Sequence, residues 1–330
     1  MNKKEIFSVI VLIFAIGFSF YRYQNKSYKF FSNKMLMDTV VTLSFEMKNP
    51  HVNEVADSVF QLMEDYENKL SAYREKSYIY IINHAETDSF ASDKDVCKIL
   101  TKAKKLYEMT EKRYDVTVGE LTDIWDFEKE NVPTEEEIKT ALKTVGFDKL
   151  IFNENFLKKP AGTKINLGSA AKGFILDRVA DYLGKRKVLS GYVNAGGDIR
   201  FFGNNQEQTI GIRHPRKSDE IIATVTVKSG ATVTSGDYER FFIKDGKRYH
   251  HIIDPLTGYP SENSVSVTVL ADTAEKADIF STALFLLKPQ EAIDLAEKSG
   301  NIEAVVYYET NNKITALKTS GMKLFPEKEN

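Results

Sequence analysis

Residues 250–282 constrain the fold of this chain more than any other stretch: HHIIDPLTGYPSENSVSVTVLADTAEKADIFST. A strand carrying two histidines is expected to end at Asp254. A Pro/Gly turn follows, then a β-branched strand over 264–270 and a helix over 273–287. Sheet and helix are thus committed together within 33 residues. On the helix, Asp278 and Thr282 stand four apart, and residues at that spacing share a face, ~5–6 Å from each other. A carboxylate and a hydroxyl so placed suit one hard cation. Mg2+ prefers such oxygen donors and keeps substrate phosphate in its shell. The pair therefore suggests metal-assisted chemistry on a phosphorylated substrate. Asp272 and Glu275 resemble a capping box, which employs those two acids and leaves Asp278. An acid beside an apolar run is costly unless paired or metal-bound, so metal ligand and satisfied core carboxylate both stand. His250 and His251 point to opposite faces of a strand, and patterning does not say which one faces a site.

The rest of the chain reads as one folding unit. A strand is expected over 35–47 and helices over 51–73, 92–111 and 134–145, the last opened by Thr134 ahead of three glutamates. From residue 148 the pattern turns strand-rich. Short strands fit 190–195, 207–213, 221–228, 239–244, 303–308 and 313–318, with a helix at 169–186. No internal repeat or low-complexity linker divides residues 35–322. The expectation is a single intertwined α+β domain, with a mixed or antiparallel sheet and flanking helices, and a polar tail at 323–330. A net charge of −2 over 330 residues gives no sign of a nucleic-acid partner. Cys97 is the only cysteine, which excludes an intrachain disulfide, a cysteine zinc site and an iron–sulfur cluster. Its helical apolar setting reads as a small buried hydrophobe.

The N-terminus departs from this plain composition. After MNKK, residues Ile6–Phe20 carry no charge. A signal peptide would need a small-residue cleavage site after such a run, and here it passes into FSFYRYQNK. Extended to Tyr23, the run reaches the ~17 residues that a membrane-spanning helix needs. Residues 1–23 are therefore expected to be an uncleaved signal-anchor, with a cleaved signal as the alternative, and residues 24–34 a stalk. Lys3 and Lys4 precede the span, whereas Arg22, Lys26, Lys29 and Lys34 lie after it. The positive-inside count does not by itself favour export of the downstream domain.

Three further segments could carry chemistry. In INLGSAAKGFILDRVADYL (165–183) an expected strand ends at Leu167, small residues follow and a helix begins, so its free N–H groups could meet an anion and Lys172 could pair with phosphate. It is not a P-loop, because the glycine–lysine spacing is wrong, and tight strand–helix packing explains it equally. In SGYVNAGGDIRFFG (190–203) a Gly-Gly turn with Asp198 reads as a hairpin. In ATVTSGDYERFF (231–242), Ser235-Gly236-Asp237 reads as a tight turn, with the Thr234 and Ser235 hydroxyls available to a ligand.

Taken in order, these segments resemble the ApbE family of flavin transferases. The matching pieces are MDTVVTLSF (37–45), LSAYREKSYI (70–79), YDVTVGEL (114–121), INLGSAAKGFILD (165–177), VNAGGDI (193–199), TSGDYER (234–240), HHIIDPLTGYP (250–260) and ADIFSTALFLL (277–287). Each is modest; eight in sequence are specific. The resemblance implies an enzyme that uses FAD and Mg2+, moves the FMN half of FAD to a threonine hydroxyl of an acceptor flavoprotein and releases AMP. It implies acceptors in membrane redox complexes, and hence a catalytic domain anchored at the cell membrane on its extracytoplasmic side. Carried over residue by residue, Asp278 and Thr282 match the metal ligands, and Ser169 matches a position whose backbone carbonyl holds the same ion. Met37, Tyr73, Arg113, Tyr114, Asp115, Asn166, Lys172, His251 and Ile252 match positions around FAD. His251 and Lys172 would work at the pyrophosphate, Lys172 by adding positive charge there; a carboxylate or His251 would take the threonine proton.

Two departures stand out. The family usually has Met-Gly-Thr where this chain has Met37-Asp38-Thr39, and often Asp where it has Asn166, which keeps a hydrogen-bonding oxygen but loses a charge. Two other activities fit the same residues: a Mg-dependent FAD pyrophosphatase with water as acceptor, and a non-catalytic, membrane-tethered FAD-binding protein.

Overall fold

The computed structural model describes residues 2–326 and opens on α1 (Lys3–Gln24). The Asn2 side chain accepts the Glu5 N–H at 2.9 Å and the Glu5 carboxylate accepts the Asn2 N–H at 2.8 Å, a reciprocal cap. The span Lys3–Arg22 is long and apolar enough to cross a membrane, and none of it is buried against the protein.

β1 (Tyr28–Leu36) and β2 (Thr39–Met47) form an antiparallel hairpin. The two linking residues both have left-handed backbone, Met37 at φ 53° and Asp38 at φ 56°, as a type I′ turn requires. Most of the expected stalk is therefore strand. Tyr28 and Phe30 alternate toward the core, and the Phe30 ring stacks on Phe45 at 5.3 Å. The strand expected over 35–47 begins earlier and folds back at Met37. α2 (Val52–Leu70) packs its Val55, Val59 and Met63 face on this hairpin side. Then come α3 (Tyr78–His84), β3 (Ser89–Ala91), α4 (Lys94–Met109), α5 (Gly119–Trp125), α6 (Glu135–Leu142), β4 (Ile151–Phe152) and β5 (Phe156–Lys158). At α6 the Thr134–Glu137 capping box is present. Cys97 is buried in α4.

The strand expected to end at Leu167 does not form ahead of α7 (Ala171–Lys185). Residues 165–167 are extended, with only a bridge from Lys164 to Val118 ahead of them. The strand-rich half supplies β6 (Ser190–Ala195), β7 (Asp198–Gly203), β8 (Gln208–Arg213), β9 (Ile221–Val227), β10 (Ala231–Gly236), β11 (Phe241–Lys244), β12 (Lys247–His250) and β13 (Ser266–Ala271). It closes with α8 (Ala274–Phe285), α9 (Pro289–Ser299), β14 (Ile302–Thr310), β15 (Lys313–Lys318) and β16 (Phe325–Pro326). Ser235 and Gly236 lie within β10 rather than in a turn, because β10 pairs with β13 along its whole length. β12 stops at His250, short of the expected Asp254. Phe325–Pro326 of the expected polar tail pairs with β9, and residues 327–330 lie outside the described residues.

The main sheet runs β1-β2-β6-β7-β10-β13-β14-β15, and every pairing in it is antiparallel. β13 is buried on both faces from Ser266 to Val269. One face packs against α8, which is itself apolar nearly all round, as a helix enclosed by other elements must be. The other face meets a smaller cluster containing Ile199, Phe201, Val225 and Tyr307. The α+β expectation holds, with helices on one main face and small sheets around it.

Candidate active site

The site gathers at one end of the main sheet. There the β1–β2 turn lies beside the β6–β7 turn, where Gly196 and Gly197 take φ 66° and 107°. The Gly196 N–H donates to the Val40 carbonyl at 3.1 Å, and a Cβ on Gly196 would fall 2.4 Å from Thr39 Oγ1. Only glycine fits there. At Asp38, a residue type that tolerates the left-handed region stands where the resemblance leads one to expect glycine. The departure is therefore accommodated by the turn itself.

The same end of the sheet presents Asp198, at the start of β7, to the first turn of α7. Lys172 Nζ lies 2.9 Å from Asp198 Oδ2, and the other Asp198 oxygen accepts the Thr234 N–H at 3.3 Å. One residue beyond Lys172, the Gly173 N–H donates to Asp278 Oδ2 at 2.8 Å. Gly173 is the third residue of α7, so its N–H is one of those that a helix start leaves without an intrahelical partner, and Asp278 takes it. Two buried acids thus face one half-buried ammonium. Burial, then Asp198, push Asp278 up to about 7, against the pull of Lys172 and the Gly173 N–H. Asp198 holds Lys172 above the usual lysine range, against burial.

Hydroxyls complete the corner. Ser235 Oγ sits 3.2 Å from Thr282 Oγ1 and 2.8 Å from Ser281 Oγ, and Ser281 Oγ donates to the Asp278 carbonyl at 2.9 Å. Thr234 points the other way, to Thr268 at 2.9 Å. Among the described residues no three His, Cys, Asp or Glu side chains cluster to hold a metal. The side-chain oxygens here are instead carboxylates and hydroxyls, a donor type that suits a hard cation such as Mg2+ rather than zinc.

Around this corner the remaining candidates connect in pairs. Tyr114, buried, meets Ser169 hydroxyl to hydroxyl at 2.9 Å. Arg113 reaches Asp254 at 3.2 Å, which ties the turn before Tyr114 to the turn after His251. Asp115 is fully engaged: one oxygen accepts the Thr117 N–H and hydroxyl at 2.7 Å each, the other the Phe147 N–H at 3.0 Å. It shapes its loop rather than offering a free carboxylate. Asn166 donates to Tyr73 and to Thr122 at 3.2 Å each and accepts the Gly168 N–H at 2.9 Å. These three side chains help line a cleft of about 130 Å³ together with Tyr80, His84 and Lys164. Met37 is half-buried in its turn and Ile252 is buried.

The two histidines separate cleanly. His250 is buried, with Nε2 2.8 Å from the Ser261 carbonyl and Nδ1 accepting the Ile252 N–H. His251 follows the end of β12; its Nδ1 lies 3.3 Å from the Arg240 carbonyl. Burial, His250 and Arg240 push its pKa down to about 3.

At α8 the expected cap is corrected. Thr273, not Asp272, is the N-cap, and its hydroxyl accepts the Lys276 N–H. The Ala274 and Glu275 N–H groups donate to Asp177 of α7 at 3.0 and 2.9 Å, while Glu275 turns inward to pair with Lys102. A carboxylate from another element has displaced the local one. Asp198 and Ser281 were not singled out as site residues from sequence. A Gly-Gly-Asp turn looks the same whether or not its acid holds a lysine.

Fold and site together define the class: an antiparallel α+β protein in which two buried acids, Asp198 and Asp278, meet Lys172 and a group of hydroxyls at one end of the sheet, with an aromatic- and amide-lined cleft. The chain belongs to the ApbE family, whose sequence profile matches residues 37–306. It is 34% identical over 264 residues to the FAD:protein FMN transferase of Klebsiella pneumoniae (strain 342), covering 77% of this chain and 82% of that one. It is 32% identical over 311 residues to that of Haemophilus influenzae, covering 89% and 88%. The crystal structure of the ApbE protein from Thermotoga maritima superposes with a TM-score of 0.81 at 30% identity, covering 89% of this chain and 97% of that one. The flavin transferase ApbE from Vibrio cholerae gives 0.78 at 29%, covering 89% and 98%. The resemblance read from the eight segments is borne out.

Proposed function

We propose that the protein moves the FMN half of FAD to a threonine hydroxyl of an acceptor flavoprotein, with Mg2+ required and AMP released. The observation that carries this reading is the gathering of Lys172, Asp278 and the Thr282 hydroxyl at one corner, with Asp278 fixed by the free Gly173 N–H at the start of α7 at 2.8 Å. Asp278, Thr282 and the Ser169 carbonyl would hold the ion. When bound, Mg2+ supplies charge neutralisation at the pyrophosphate. Met37, Tyr73, Arg113, Tyr114, Asp115, Asn166 and Ile252 would shape the FAD site, with Tyr73 and Asn166 lining the cleft. Lys172 adds positive charge near the phosphates. The threonine oxygen forms the new bond to phosphorus, the P–O bond to AMP breaks, and the threonine proton passes to His251 or a site carboxylate. With Nδ1–H directed at the Arg240 carbonyl, His251 keeps Nε2 as acceptor. Its low pKa makes it a weak base in the free protein, and an anionic pyrophosphate alongside would raise it toward working pH.

We place the catalytic domain outside the cytoplasm, on the periplasmic or outer face of the cell membrane, anchored by α1, with acceptors in membrane redox complexes. Incubation of the full chain in detergent with FAD, Mg2+ and a candidate acceptor should give covalent flavin on the acceptor by mass spectrometry. Free FMN and AMP without labelling would instead identify a hydrolase, and unchanged FAD a binding protein. Asp278→Ala should lower Mg-dependent transfer by on the order of 100-fold or more, the scale for losing one preorganised electrostatic contact; retained activity would sink the metal assignment.

A further inference from the structure

Lys172 could neutralise either of two carboxylates, and it pairs with only one. Its ammonium contacts Asp198 at 2.9 Å, while Asp278 feels it only as a more distant charge. The partner it takes is rigidly built. Asp198 is buried at the first position of β7, and its free oxygen is fixed by the Thr234 N–H. The turn before it is closed by Gly197 donating to the Asn194 side chain at 2.8 Å. Asp278 is within reach as well, since its carboxylate accepts the N–H of the residue after Lys172. Glu239 adds to the field at Lys172, and Glu275 to that at Asp278. A flexible four-carbon stem lets a half-buried lysine turn to whichever carboxylate is left to it.

We infer that Asp198 is a positioning residue that holds Lys172 away from Asp278, and so keeps the Asp278 carboxylate open to the cation. The inference rests on the metal reading proposed above and adds a residue that contacts neither ion nor substrate. It carries a counterintuitive consequence: removing a negative charge from Asp198 weakens cation binding only while Lys172 is present.

Calorimetric titration of Mg2+ alone into the full chain in detergent, without FAD, tests it. Asp198→Asn is isosteric and keeps an acceptor for the Thr234 N–H; thermal unfolding verifies that it is folded. This variant should bind Mg2+ about tenfold or more weakly, the scale on which one opposing charge acts on a carboxylate. Lys172→Met should bind at least as tightly as the parent, and Lys172→Met with Asp198→Asn should match Lys172→Met alone. Unchanged Mg2+ affinity in Asp198→Asn overturns the inference. So does an equal loss from Asp198→Asn in the Lys172→Met background, which would make Asp198 a direct contributor to the ion's field. Should Asp198→Asn not fold, Lys172→Met still decides, because weaker Mg2+ binding by that variant contradicts the competition. Failure of the underlying metal reading shows elsewhere, as parental Mg2+ affinity in Asp278→Ala.

Discussion

His250 and His251 are neighbours in sequence and opposites in circumstance. His250 has both ring nitrogens engaged and its ring edge-on to Phe285 at 5.6 Å; burial lowers its pKa, against a smaller pull from its Ser261 bond. The folded state therefore resists a proton that the unfolded chain accepts near pH 6.5. Stability should be fully present above that pH and decline as pH falls below it. Each depressed histidine contributes up to about 1.4 kcal/mol per pH unit. His250→Gln should remove its share of this acid-side slope, measured by denaturant unfolding at pH 4 to 7, and leave the share of His251, which is depressed as well. An unchanged slope would mean that His250 is not held neutral. The histidine pair was visible in sequence, but its division of labour was not. Alternation along a strand assigns faces only while the strand continues, and β12 ends at His250.

Between elements, the α7–α8 contact determines the site. A Cβ on Gly173 would lie 2.3 Å from the Ala274 carbonyl and 2.7 Å from Asp278 Cβ. Gly173→Ala should cost about 1–3 kcal/mol of overpacking, read as a lowered midpoint in urea, and weaken Mg2+ binding through the displaced Asp278. Normal values for both would show that the helices can part freely. Most of the helices and strands were legible, because their apolar periodicity is local: α2, α4 and α7 lie close to the expected spans, and Thr134 announces α6 by a box closed within four residues. The α8 start was misread for the complementary reason. Asp177 reaches it from about a hundred residues earlier, and nothing in ADTAEKAD marks an incoming partner. The Lys172–Asp198 pair was hidden in the same way. Spacing and segment pattern singled out Lys172, Asp278 and Thr282; only the folded chain shows which charges meet.

At the scale of the molecule, α1 and the folded body are independent in packing. A chain beginning at Asn25 should remain soluble and unfold within about 2 °C of the full-length protein, since no buried contact is lost, while the full-length chain should pellet with membranes uncleaved. A large drop in melting temperature would reveal a structural role for α1, and a shortened soluble product would refute the anchor. The β1–β2 hairpin has a consequence for reach. Three residues separate α1 from β1, and β1 delivers the chain nine residues later to the Met37–Asp38 turn on the rim of the site. Even fully extended, that path is roughly 40 Å long. With α1 in a bilayer as proposed, the reacting centre patrols a shell about that deep above the lipid surface. An acceptor in the same membrane is met by lateral diffusion, at the raised effective concentration of two tethered partners. Under the proposed transfer, an acceptor threonine carried farther from the bilayer stays out of reach, whatever sequence surrounds it.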